Sequence, residues 1–293
     1  MVNLQSQIRR GCRGVTAVTA ATTDPTERAN LAYVGVYACG FAGHGDLTPF
    51  RTLNYAVMDT PFLERLARLV PGRRPVPGWI IRHWDTQFVH LDFGAIRTFF
   101  PRARFADADL ESGRSVSVDI PVILPGVLPG FVFRQGDRAA SGQPLSRLYL
   151  NINPQQAPWV LGPLAERLNA ERQPFEMKVL AHPRAYRRRD AAVVYVPSTE
   201  LPRAIEVLRS ALLHARIRLG AGVPLLTEEI LPGVGLADDP IDVAQGQSHG
   251  QWVSHLFLQA AQDCGDTTRM PRRIAALVDE AGRHPDRPHR RAA

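Results

Sequence analysis

All but one of the 35 lysine and arginine residues are arginine, and the exception is Lys178. A coding bias toward Arg, Ala, Gly and Pro strips lysine wherever charge alone is needed. A retained lysine is then a candidate for a task arginine cannot perform, because an amine can lose its proton when desolvated and a guanidinium effectively cannot. Lys178 sits in PFEMKVLAH (174–182). Strand alternation puts Phe175, Met177 and Val179 on one face and Glu176 and Lys178 on the other. RLYLNIN (147–153) alternates in the same way. Leu148, Leu150 and Ile152 face one side, and Arg147, Tyr149, Asn151 and Asn153 the other. If both segments belong to one sheet over one core, their polar faces coincide, and Lys178 lies beside Arg147 and Tyr149. The loop HPRAYRRRD (182–190) adds four arginines, among them Arg184 and Arg188, just before the apolar strand DAAVVYV (190–196).

Guanidinium forks bind phosphate in bidentate fashion. Like charges disfavour a protonated amine, so a lysine crowded by arginines is suited to act as a general base near neutral pH. A base beside a phosphate clamp fits removal of a Cα proton next to a phosphorylated Cβ, with phosphate leaving and a dehydro-residue forming. That chemistry calls for no metal and no redox cofactor. The sequence carries no GxGxxG after a strand, no GxxxxGK[ST], no HExxH and no GxSxG. Its nine histidines are scattered without metal-ligand spacing.

The elements that must position these residues read as α+β: a mixed, largely antiparallel sheet with helices packed on one face. Residues 147–153, 174–182 and 190–196 are expected as strands of one sheet. Residues 158–171, 201–219 and 250–264 are expected as helices, with 231–240 a loop. The division expected is an irregular segment at 1–30, a helical and β region at 31–140, an α+β core at 141–265, and a C-terminal helix with a disordered basic tail at 266–293. Within the second of these, 31–70 reads mostly as helix around FRTLNYAVMDTPFLERLARLV, and 78–84 and 87–100 as strands. Hydrophobic residues make up 45% of the 293 and charged residues 22%, which suits a globular chain and excludes a coiled coil or collagen. No apolar run approaches the length of a membrane span, and no secretory signal is visible, so a cytoplasmic protein without a membrane partner is expected. The net charge of +7 suits acidic partners, but no RNP-type aromatic strand accompanies it, so nucleic acid is not expected as one.

The run RLYLNIN…PFEMKVLAHPRAYRRRDAAVVYV, with LPGVGLADDP (231–240) and SHGQ (248–251) downstream, resembles the HopA-type bacterial type III effector family. The resemblance covers about residues 78–265 and is firmest over 146–250. Relatives of that family occur beside kinase-like proteins in clusters for class V lanthipeptides and thioamitides. There they are taken to eliminate phosphate from Ser or Thr of a precursor peptide. More distantly, the pattern is similar to the phosphothreonine lyase effectors. Their basic residue, acid two positions later and catalytic lysine about 30 residues on map to Arg147, Tyr149 and Lys178. Where those lyases have a histidine acid this chain has Tyr149, which leaves Tyr149, His182 or no acid at all. The family arginine before the apolar strand is Arg188. The Phe and later Arg of its SFG stretch read His249 and Val253 here. The resemblance thus implies a phosphoserine/phosphothreonine lyase with Lys178 as base and Tyr149 or His182 as acid. Arg147, Arg188, Arg184, Asn151 and His249 would lie around the phosphate and substrate. The implied partners are a phosphorylated precursor peptide, leader and core, and a kinase-like protein of the same pathway. The alternative is a non-catalytic, effector-like or scaffold protein that binds a phosphorylated or acidic peptide or the kinase.

Overall fold

The computed structural model describes residues 4–51, 57–93, 96–105, 110–140, 144–240 and 247–290. The chain divides into two compact units, one of residues 71–122 and one of the remainder. The smaller unit is a four-stranded antiparallel sheet of β1 (Arg73–Trp84), β2 (Phe88–Phe93), β3 (Ile96–Pro101) and β4 (Ser115–Pro121), in the order β3-β2-β1-β4. The expected strand over 87–100 is in fact two, β2 and β3. The connection at Asp85-Thr86 has no glycine. Instead the Asp85 carboxylate accepts from the amides of Gln87 and Phe88, both at 2.7 Å, which is how an aspartate closes a turn.

The larger unit holds a seven-stranded antiparallel sheet among the described residues, in the order β10-β11-β7-β9-β8-β6-β5. Its strands are β5 (Leu124–Pro125), β6 (Phe131–Gln135), β7 (Leu145–Leu150), β8 (Glu176–Leu180), β9 (Ala192–Pro197), β10 (Glu228–Leu231) and β11 (Val234–Asp238). β7 and β8 are the strands read from alternation, and β9 is the one read from its apolar run. β9 is central, pairing antiparallel with both β7 and β8. The segment 231–240, expected as a loop, instead supplies β11, which pairs with β7 along its whole length. Val234, Leu236 and Ala237 are buried there, and burial on both sides outweighs the turn-forming composition.

The face bearing Leu148, Leu150, Met177, Val179, Val194 and Val196 is fully apolar at these positions and buried. Helical segments from Ala157 to Ala170 and the helix Leu201–His214 pack there, as the switch of periodicity predicts. The second helix is shorter than the expected 201–219, because Arg216 adopts a positive φ of 51° just beyond it. A separate core is built by helix Leu4–Ala21, the helical stretch Pro25–Ala38, and helices His249–Cys264 and Met270–Glu280 around Val15, Leu31, Tyr37, Trp252, Phe257 and Ile274. Residues 4–21 are therefore helical and not irregular. Ile8, Cys12, Val15 and Val18 recur every three or four residues and are buried, while arginines occupy the intervening positions. Of the expected helical stretch 31–70, Ala32–Ala38, Thr48–Arg51 and Thr60–Leu69 are helical, the last with Asp59 as its cap, and 52–56 lie outside the described residues. The expected disordered tail is instead docked through residue 290. Arg283 is buried, donating to the carbonyls of Pro288 and Asp239, and Asp238 N–H donates to His289 O.

Candidate functional site

Register places the candidate residues in two rows across the sheet, on the face opposite the apolar one. One row runs Phe133 (β6), Lys178 (β8), Val193 (β9), Tyr149 (β7) and Gly235 (β11). The next runs Gln135, Glu176, Tyr195, Arg147 and Ala237. Lys178, Arg147 and Tyr149 thus share a face, as alternation requires. However, β9 stands between Lys178 and Tyr149, so their backbones are roughly 10 Å apart, two strand spacings.

Aromatic rings link the cations. The Lys178 Nζ lies 4.1 Å from the Phe131 ring centre and 5.6 Å from that of Tyr195. The Arg147 guanidinium stands 5.1 Å from the same Tyr195 ring. The Arg188 guanidinium stands 5.8 Å from Phe131 and 5.1 Å from Tyr33. Lys178 makes no hydrogen bond or ion pair among the described residues. It lies with Tyr33 and Phe131 in an open groove of about 1020 Å³, whose walls carry Asp24, Glu27, Ser248 and Gln251.

The two expected clamp arginines differ from the open forks read from sequence. Arg188 is 1% exposed and is held by Asp190 through two bonds, Nε to Oδ1 at 2.8 Å and Nη2 to Oδ2 at 2.7 Å; its Nη2 also reaches the Tyr33 hydroxyl at 3.1 Å. Arg147 donates from Nη2 to Asp239 at 2.6 Å. Burial works against charge on both guanidiniums. Asp190 and Tyr33 at Arg188, and Tyr149, Tyr195 and Asp239 at Arg147, outweigh it and raise both above the ordinary arginine value. One buried N–H on each side chain, Arg188 Nη1 and Arg147 Nε, has no partner among the described residues.

Burial pushes the Tyr149 hydroxyl up to about 12, against the pull of Arg147 and of the facing Tyr37 hydroxyl. Tyr149 therefore stays a phenol, able to donate as well as to accept. His249 opens helix His249–Cys264 behind Ser248, fully buried against the rings of Tyr37 and Trp252. Desolvation first, then Arg283 and Arg147, hold its pKa well below the ordinary value, so it is neutral. Its Nε2 lies 3.2 Å from Leu226 O, and its Nδ1 has no partner among the described residues.

Three expected residues are not drawn into this cluster. Asn151 spends both side-chain donor bonds on the carbonyls of Ala221 and Gly222. His182 caps the turn Pro183–Arg187, accepting from Arg184 N–H at 3.1 Å, and turns its Nε2 toward Asp59 at 3.9 Å. The Arg184 side chain is exposed. Conversely, Tyr33, Tyr37, Phe131, Asp190, Tyr195 and Asp239 belong to the site and were not singled out from sequence. Tyr33 and Tyr37 carry a signal, being one helical turn apart and stacked at 5.7 Å. Tyr195 carries another, as the polar-tipped residue on the site face of an otherwise apolar strand.

The family model of the HopA1 effector protein family matches residues 125–290. Two solved structures are similar. One is the effector protein from Pseudomonas syringae pv. syringae strain 61, at 17% identity and a TM-score of 0.55, covering 99% of this chain and 98% of that one. The other is the effector protein from Pseudomonas syringae pv. tomato strain DC3000, at 18% identity and a TM-score of 0.45, covering 56% of this chain and 63%, less than two thirds, of that one. No curated protein matches the chain.

Proposed function

The chain belongs to the HopA1 effector protein family, and from that premise we propose that it is a phosphoserine/phosphothreonine lyase acting on a phosphorylated ribosomal precursor peptide, in lanthipeptide-type biosynthesis. The observation that carries this reading is Lys178. The only lysine of the chain lies in an open groove with no counter-ion among the described residues, on the sheet face shared with Arg147.

In the proposed step the Lys178 amine takes the Cα proton of the phosphoresidue. The C–H electron pair becomes the second bond between Cα and Cβ. The Cβ–O bond breaks, and phosphate departs with that bond's electrons. The ammonium that forms faces the Phe131 and Tyr195 rings, a contact worth about 0.5–2 kcal/mol to a cation. The unpartnered N–H groups of Arg147 and Arg188 are donors for the departing phosphate, and Tyr149 is the proton donor on the same face. Side chains alone balance the reaction. A kinase-like protein that supplies the phosphorylated peptide is the partner this reading requires, and the cytoplasm is its setting.

One observation favours the binding-protein alternative. Both arginines already hold carboxylates, and a non-catalytic pocket for an acidic peptide would need only their residual charge. Mass spectrometry of a phosphothreonine peptide incubated with the protein separates the two. A lyase gives loss of phosphoric acid and a thiol-reactive dehydrobutyrine. A binder leaves the peptide mass unchanged.

A further inference from the structure

The turn that ends helix Met270–Glu280 sends the chain that follows back to the candidate site. Gly282, at φ 71°, donates its N–H to Asp279 O at 2.8 Å, and Arg283 N–H donates to Val278 O at 3.0 Å, the paired bonds with which a left-handed glycine closes a helix. Segment 283–290 then makes two tight turns, with Arg287 N–H on His284 O at 2.9 Å and Arg290 N–H on Arg287 O at 3.0 Å. Pro285 and Pro288 fix φ within it, which lowers the entropy lost when the segment is held in place.

It is held against the end of β11. Asp238 N–H donates to His289 O at 2.8 Å. The Asp238 carboxylate accepts from Ser146 Oγ at 2.6 Å and stands 3.7 Å from Arg290 Nη1. His289 Nε2 lies 3.2 Å from the Glu228 carboxylate on β10. Arg283 is buried with its guanidinium 4.9 Å from the Trp252 ring centre. Its Nη1 donates to Pro288 O at 3.1 Å and its Nη2 to Asp239 O at 3.2 Å. Asp239 lies one residue beyond β11, keeps its N–H on Leu145 O at 2.9 Å, and offers its carboxylate to Arg147 at 2.6 Å.

Docking alone would be served as well by an apolar side chain, because burying an ion is costly. A guanidinium adds a rigid fork of donors. Here one prong holds the segment itself, at Pro288, and the other holds Asp239, whose carboxylate binds Arg147. We propose, resting on the reading of Arg147 as a phosphate contact, that segment 283–290 is a strap that sets the position of Arg147 through Asp239, with Arg283 as the positioning residue. Arg283 touches no substrate. It fixes the backbone of Asp239, and it does so whether a bound phosphopeptide is turned over or only held.

The test is a double-mutant cycle on the full chain, reading the affinity for a phosphothreonine peptide and for its unphosphorylated counterpart by fluorescence anisotropy. Arg283→Met keeps an apolar stem against Trp252 and removes both donors. It should weaken phosphopeptide binding about five- to tenfold and leave the unphosphorylated peptide unchanged. In an Arg147→Gln background it should cost less than about twofold, because its effect passes through Arg147. A loss that lowers both peptides alike and persists in that background is merely structural and overturns the strap. Wild type supplies a second measurement that needs no folded variant. By reciprocity, bound phosphopeptide should slow amide hydrogen exchange at Asp238 and along 283–290 by at least about threefold. Phosphopeptide binding by Arg147→Gln at wild-type affinity would remove the premise, and the strap with it. If instead Arg147→Gln weakens binding while a folded Arg283→Met does not, or if exchange along 283–290 is the same with and without peptide, the strap is overturned and the phosphate reading of Arg147 stands.

Discussion

The two faces of the seven-stranded sheet solve the burial of charge differently. On the helix-packed face the buried cation is Arg134. Its two terminal nitrogens are taken by Leu161 O and by Glu166, whose side chain is 68% exposed, and only its Nε lacks a partner among the described residues. On the other face Arg147, Arg188, Tyr37, Tyr149 and His249 crowd together, and buried polar atoms on all five lack a partner other than one another. Lys178 stands beside them at the groove with rings for neighbours. Buried polar groups left unsatisfied cost about 1–3 kcal/mol each, so a face that carries several has traded stability for something else. One face of the sheet builds the fold, and the other gathers most of its unpartnered polar groups.

The comparison breaks most decisively at Asp190. Asp190→Asn should cost about 3–5 kcal/mol in denaturant unfolding, because it strands the fully buried Arg188 guanidinium. A loss under about 1 kcal/mol would show that Arg188 is open to ligand and only incidentally paired. His249 sharpens the contrast through pH. The folded chain keeps it neutral, whereas the unfolded chain protonates it near the ordinary value of 6.5. Its contribution is therefore fully present above about pH 6.5 and is lost as pH falls toward the depressed folded value. The slope is at most about 1.4 kcal/mol per pH unit. His249→Gln should remove that part of the acid sensitivity, measured as the difference between the two stability curves. On the other face, Glu166→Gln should cost less than about 1 kcal/mol, since its carboxylate is in water. A larger loss would mean that both faces depend equally on charge pairing.

Alternation alone was enough to place Arg147, Tyr149 and Lys178 on one face, because a period of two is a strong constraint wherever the other face is apolar. The order of the strands was not legible. Nothing in RLYLNIN or PFEMKVLAH says that β9 lies between them, so Lys178 and Tyr149 were read as neighbours. The fate of the arginines was hidden for a related reason. Arg187, Arg188 and Arg189 are identical in type, and only backbone direction sends one to Asp190 and the next to Gly40. Asp190 was read as the edge of a strand, although its position two residues from Arg188 already allowed the pair. The N-terminal helix was masked by small and polar residues whose buried members, Gly11 and Gly14 among them, reveal a face only once a partner covers it. The tail carried a loop-like, basic composition, and its docking through the buried Arg283 is a tertiary effect that composition does not report.

Turnover of one phosphothreonine peptide by wild type, Lys178→Met and Lys178→Arg, followed by mass spectrometry, tests the central claim most directly. Lys178 makes no hydrogen bond or ion pair among the described residues, so both variants should stay folded and should keep binding the peptide. Loss of a general base costs about 10²–10⁴-fold, and arginine cannot replace it. The account predicts that wild type releases phosphate and that both variants fall by at least that factor. Near-wild-type turnover by Lys178→Arg would contradict it, since lysine would then be only a positive charge.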